Sequence, residues 1–150
     1  MKHQFTEWTL WENRSKLPGM HYPGIYVIAI SLTNISSEQF SMIPEIAYFG
    51  MTNSKGGLQS RLKAFDNTLK GKNGHGGAHR FRFKYPDYSS LTSSLYVAIC
   101  PFSCDVNSHQ PNDLKIMGEV AKFEYVCFAS FVEKFGSLPE FNDMQRSPKK

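Results

Sequence analysis

The segment Gly24-Ile25-Tyr26-Val27-Ile28-Ala29-Ile30 constrains the fold most, because it is short, apolar and rich in β-branched and aromatic residues, with Pro23-Gly24 punctuating its start. Such a run reads as a buried strand. A polar stretch from Ser31 to Pro44 leads to Ile46-Ala47-Tyr48-Phe49-Gly50, a second strand expected to pair antiparallel with the first. The turn Asn53-Ser54-Lys55-Gly56-Gly57 follows. After it Leu58, Leu62, Phe65 and Leu69 recur at helical spacing, so the segment 58–70 is expected to be an amphipathic helix with its apolar stripe on the sheet. Residues 71–77 contain four glycines and are expected to form a loop. Leu95-Tyr96-Val97-Ala98-Ile99-Cys100, ended by Pro101, is a third strand. Residues 114–135 form a long helix stopped by Gly136. The order β-β-α-β-α describes an α/β chain, an α+β sandwich with helices packed on a small sheet.

With 150 residues, 41% hydrophobic and 14% aromatic, the chain suffices for one core, and no repeat or linker divides it. Residues 1–22 carry Trp8, Leu10, Trp11 and Leu17 in a polar context and are expected to be a helix or an extended arm. Residues 23–142 hold the domain proper, and 143–150 a flexible tail. No apolar stretch is long enough to span a bilayer, and the charged start does not resemble a secretory signal. With three cysteines, too few and odd in number for a disulfide framework, a cytoplasmic protein is expected. The net charge of +4 is concentrated. Between Lys55 and Lys84 eight basic residues face the single acid Asp66, so this segment carries +7 while the flanking parts are slightly negative. A polyanion such as DNA, or simply a solvated basic surface, accounts for this distribution.

Glu124 is the residue that most needs a reason. On a helical projection with Ile116 at zero, the apolar set Phe123, Cys127, Val120, Phe131, Met117, Phe128, Ala121 and Val132 occupies an arc from about 340° to 160°, and Glu124, at about 80°, falls at its middle, on the face expected to be buried. An ionised carboxylate buried there costs several kcal/mol unless it is paired, hydrogen-bonded or bound to a metal. A buried Glu–Arg or Glu–Tyr pair is one solution and a metal site the other. Arg61 lies on the rim of the first helix's apolar stripe, and Tyr26 and Tyr48 bring hydroxyls into otherwise aliphatic strands, where they are either core or site.

Gly24-Ile25-Tyr26, then Tyr48-Phe49-Gly50, then Arg61 within Gly-Leu-Gln-Ser-Arg-Leu, then a glutamate in the last long helix and Asn142 after it, resemble the GIY-YIG nuclease family over residues 23–142. The resemblance implies a three-stranded antiparallel sheet flanked by helices, and a metal-dependent DNA endonuclease. It implies that Glu124 holds a single Mg²⁺ (or Mn²⁺) against the scissile phosphate, and that Arg61 binds that phosphate and stabilises the charge of the transition state. Tyr26 and Tyr48 would flank the attacking water, one of them as general base, with Tyr48 preferred, and Asn142 would orient the chain end near the site. Relatives often carry a lysine where Met51 stands and a histidine or tyrosine where Phe65 stands, so Lys55 in the next turn is expected to supply the missing cation.

Lys55, Lys63, Lys70, Lys72, His75, His79, Arg80 and Arg82 are the expected DNA contacts. Arg80-Phe81-Arg82-Phe83-Lys84 alternates charge and aromatic, as an edge strand on a phosphate backbone or an ordinary half-buried strand would. His75 and His79 are expected at phosphate rather than at a metal, and Cys100, Cys104 and His109 lack a fourth zinc ligand and read as packing groups. Since the chain ends soon after Asn142, a compact stand-alone or restriction-type enzyme is expected, and cutting both strands would favour a homodimer. The alternative is a non-catalytic nucleic-acid-binding module on a decayed nuclease fold.

Overall fold

The computed structural model describes residues 3–149. It is an α+β fold with one four-stranded antiparallel sheet. Strands β1 (Thr9–Leu10), β2 (Gly24–Ile30), β3 (Ile46–Thr52) and β4 (Leu95–Pro101) take the spatial order β1-β4-β2-β3. Helices α1 (Gly57–Leu69), α2 (Gly76–Lys84), α3 (Tyr88–Thr92) and α4 (Pro111–Phe135) complete it, with 3₁₀ turns at Trp11–Lys16 and Glu140–Asn142. No helix among the described residues is long and apolar enough to cross a membrane.

The central position of β2 explains why its sequence does not alternate: the strand is covered on both faces, so every side chain needs to be apolar. Tyr26 and Ile28 point into a core shared with Leu58, Leu62, Phe65 and Leu69 of α1, the apolar row read from the sequence. Ile25, Val27 and Ala29 point the other way, to Val120, Cys127 and Phe131 of α4. A register shift between Ile28 and Ala29 lets the strand turn against β3. At the end of α4 Gly136 adopts the left-handed conformation, φ 85°, that stops the helix.

Four expectations change. The sheet has a fourth strand, because the N-terminal arm is extended at Thr9–Leu10 and pairs with β4. It then coils into a 3₁₀ turn, with Trp8 and Trp11 buried against the two cores; Met1 and Lys2 lie outside the described residues. The loop at 71–77 ends early, since Gly76 and Gly77 open α2. Residues 80–84 are helical rather than an edge strand, because the His75 ring caps the helix and Phe81 is fully buried while Phe83 is exposed. In a strand both phenylalanines would share a face; on a helix they diverge. The tail at 143–147 is not frayed: Ser147 is buried and both its amide and its hydroxyl bond the Asp143 carbonyl. Lys150 lies outside the described residues.

Asp66, in the sequence merely the one acid of the basic segment, ties three elements together. Its carboxylate accepts from Trp11 Nε1 at 2.8 Å and Tyr88 Oη at 2.7 Å, and pairs with Arg14 at 3.2 Å and Lys70 at 3.1 Å. Burial pushes its pKa up, but the Trp11 and Tyr88 hydrogen bonds, with Lys70 and Arg14, outweigh burial and hold it below the ordinary carboxylate value. Asp66→Asn keeps an acceptor and loses the charge. It is expected to destabilise the fold by about 1–3 kcal/mol in urea denaturation at pH 7. Because the folded pKa is depressed, that difference should disappear as acid protonates Asp66 in the unmodified chain.

Candidate active site

Tyr26 and Tyr48 are diagonal neighbours on one face of the sheet, since Tyr26 pairs with Gly50 and Tyr48 with Ile28. Their ring centroids are 6.1 Å apart. Two glycines make this arrangement possible by close approach. A Cβ on Gly50 would stand 2.3 Å from the Tyr26 ring and hydroxyl, and one on Gly77 would stand 2.6 Å from the Tyr48 ring. Gly50 therefore lets Tyr26 lie flat across β3, and Gly77 lets α2 close over Tyr48.

Between the two tyrosines stands His75, delivered by the glycine-rich turn before α2. Its backbone amide bonds Thr68 Oγ1 at 3.0 Å, and its ring packs edge-on against Phe65 with centroids 4.8 Å apart. His75 Nε2 lies 2.6 Å from Tyr26 Oη. The ring's other nitrogen, Nδ1, accepts from the Ala78 amide at 3.2 Å as the cap of α2. A neutral imidazole with Nδ1 occupied as an acceptor carries its proton on Nε2. His75 thus donates to Tyr26, and the Tyr26 hydroxyl keeps its own proton for another acceptor. His75 is 1% exposed, so it does not contact phosphate at the surface as expected from the sequence; it positions a tyrosine. The sequence signal for this was the pair Gly76-Gly77 directly after a histidine, which permits a helix to start beside an aromatic ring.

Burial, together with the positive charge of Arg61, lowers the His75 pKa from 6.5 to about 3. The unfolded chain therefore takes up this proton first as pH falls, and stability is expected to be lost progressively from about pH 6.5 down to about 3. His75→Asn retains an acceptor for the Ala78 amide and cannot titrate. Denaturation midpoints of this variant should vary less with pH between 7 and 4 than those of the unmodified chain; equal slopes would show that His75 does not stay neutral in the fold.

Arg61 on α1 acts electrostatically on both tyrosines, and Glu124 on α4 acts on Tyr48. Burial raises the pKa of both hydroxyls, that of Tyr26 furthest, and the Arg61 guanidinium pulls each down. For Tyr48 the interaction with the Tyr26 hydroxyl also lowers the value, Glu124 raises it, and Arg80 lowers it. Glu124 is half-buried; burial raises its pKa and Arg61 lowers it. It stands at the edge of the buried stripe, not in the middle: Val120, Cys127 and Phe131 are the buried residues of α4, while Ala121 and Val132 face solvent. Among the described residues neither Arg61 nor Glu124 takes part in a salt bridge. A closed Glu–Arg pair is thus not what compensates Glu124, although the Arg61 charge lowers its pKa.

Arg80 of α2 supplies a second cation that lowers the Tyr48 pKa, and Lys55 is exposed in the turn before α1. Asn142 docks the chain end beside the site. Its side chain accepts from the Phe49 amide and donates to the Phe49 carbonyl, both at 2.9 Å, completing the outer edge of β3 next to Tyr48. Of the other expected DNA contacts, Lys63 and Lys72 are exposed, and His79 and Arg82 are half-buried. Lys70 is exposed but committed to Asp66. No cluster of three or more histidine, cysteine or acidic side chains able to hold a metal occurs among the described residues. Glu124 alone fits a hard cation that takes its remaining ligands from water and phosphate oxygens. Comparisons of the chain with protein-family models, with curated proteins and with solved structures found no match.

Proposed function

We propose that this chain is a metal-dependent DNA endonuclease of the GIY-YIG type, compact and of stand-alone or restriction type. The observation that carries the reading is that Arg61 acts on both tyrosines and Glu124 on Tyr48, while the arginine and the glutamate are not joined in a salt bridge among the described residues. A phosphodiester between them meets a guanidinium suited to two of its oxygens and a carboxylate suited to a bound cation. Mg²⁺ or Mn²⁺ held by Glu124 would neutralise phosphate charge and favour departure of the leaving oxygen.

Tyr48 is the better base of the two tyrosines. It is the less buried, and Arg61, Tyr26 and Arg80 each favour its phenolate. Tyr26, locked by His75, presents its hydroxyl proton instead of accepting one. Tyr48 takes the proton of the attacking water as the new O–P bond forms; the P–O3′ bond breaks on the opposite side, and solvent protonates the departing 3′-oxygen. The products are a 5′-phosphate and a 3′-hydroxyl. The exposed Lys63 and Lys72 add phosphate contacts that hold the backbone.

The test is an end-labelled duplex incubated with the protein and Mg²⁺, with the termini of the products assigned. Cleavage leaving 5′-phosphates and 3′-hydroxyls supports the reading. Salt-dependent binding without cleavage would instead indicate a nucleic-acid-binding module.

A further inference from the structure

Helix α4 uses only part of its circumference against the sheet, and the part it leaves uncovered is patterned. Leu114, Gly118, Ala121, Tyr125, Phe128 and Val132 follow one another at steps of four and three residues, the spacing that aligns a seam along a helix. Leu114 is 48%, Tyr125 73% and Val132 38% exposed. Phe128 is half-buried, its ring edge-on to Phe49. Above Gly118 there is open space, with no atom within 4 Å of where a Cβ would stand.

We infer that this seam is the contact between two copies of the chain, joined through antiparallel α4 helices. The argument lies in the order of sizes along it. Small residues, Gly118 and Ala121, occupy one half of the seam, and large ones, Tyr125 and Phe128, the other. A two-fold axis level with Phe123 sets Leu114 on the partner's Val132, Gly118 on the partner's Phe128 and Ala121 on the partner's Tyr125, so that every layer joins complementary volumes. A parallel pair would set glycine on glycine and tyrosine on tyrosine, leaving a void at one level and a clash at the next. Self-complementarity of one patch is the mark of an isologous two-fold interface.

Charge supports the same register. Lys115 and Glu133 are both exposed on the outer flank of the seam, and the antiparallel pair brings Lys115 within about 3 Å, along the axis, of the partner's Glu133, twice by symmetry. Two like-charge contacts near the axis oppose it, Lys122 meeting the partner's Lys122 on one flank and Glu124 meeting the partner's Glu124 on the other; the lysine contact is open to solvent and screened by salt. Glu124 lies on the other flank of the seam, so both candidate sites face the same side of the pair, where one duplex can reach them. The interface does not depend on the nuclease reading and is tested without it.

Sedimentation of the full chain across concentrations should show dimers, and Ala121→Arg or Tyr125→Arg should give folded monomers with unchanged far-ultraviolet circular dichroism. Orientation is read by cross-linking in a Cys104→Ser background, where Cys100 and Cys127 are buried. A mixture of Leu114→Cys and Val132→Cys chains should link through a short bismaleimide, and Leu114→Cys alone should not, because its two copies stand roughly 27 Å apart along the axis. A monomer at high micromolar concentration, a dimer that survives Ala121→Arg, or self-linking of Leu114→Cys would each overturn the inference.

Discussion

Arg61→Ala should cleave DNA about a thousandfold more slowly than the unmodified chain, or more slowly still, while unfolding at the same denaturant concentration. The two halves of this result have separate causes. Arg61 is half-buried and makes no salt bridge among the described residues, so its removal breaks no ion pair there, and the partial offset it gives Glu124 is the main cost to the fold. In the proposed reaction, however, it would be the permanent charge aimed at the phosphate as negative charge builds on it, where one such donor lost typically costs several kcal/mol of transition-state stabilisation. Arg61→Lys should recover only a part, since an ammonium replaces a planar fork with a point charge. Because the Arg61 charge also pulls the Tyr48 hydroxyl down, Arg61→Ala should shift the ascending limb of the rate profile, set by ionisation of the base, upward in pH, and Arg61→Lys, which keeps the charge, should shift it less.

Glu124→Gln should lose cleavage by about a hundredfold or more and at the same time leave the protein as stable as before, or more stable. Burial raises the Glu124 pKa, meaning that the fold holds this carboxylate at a cost in its ionised form, and Arg61 only partly offsets it. Glutamine removes that cost with almost no change in volume. A residue kept for packing would show the opposite: lower stability and unaltered chemistry. Titration with Mn²⁺ should show weaker binding to the variant, and raising Mg²⁺ should restore some of its activity.

How legible these features were in the sequence depends on how local their causes are. Strands β2, β3 and β4 and helix α1 are written in apolar runs and in the 58-62-65-69 spacing, and each stands where that pattern places it. Helix α2 was not legible, because its cap is an imidazole, a role usually taken by serine, threonine, aspartate or asparagine, and because two glycines at its start read as a loop. The pairing of Thr9 and Leu10 with β4 is two residues long, too short to leave a period. Asp66 gathers partners 55 and 22 residues away, distances at which no local pattern exists. The position of Glu124 was read one step too deep. Its helix has a wide apolar arc of which only one side is buried: Val120, Cys127 and Phe131 are buried, whereas Ala121 and Val132, in the same arc, face solvent. Tyr26, Tyr48, Arg61, Glu124 and Asn142 stand out in the sequence only as candidates, and the contact of His75 with Tyr26, 49 residues away, leaves no local pattern at all.

The most direct measurement is cleavage of a supercoiled plasmid by the unmodified chain and by Glu124→Gln, each with Mg²⁺ and with a chelator. Nicked and linear products only from the unmodified chain in Mg²⁺ are predicted. Intact plasmid in every lane across several DNAs, with Mn²⁺ as well as Mg²⁺, or equal cleavage by Glu124→Gln, would contradict a metal-dependent nuclease centred on Glu124.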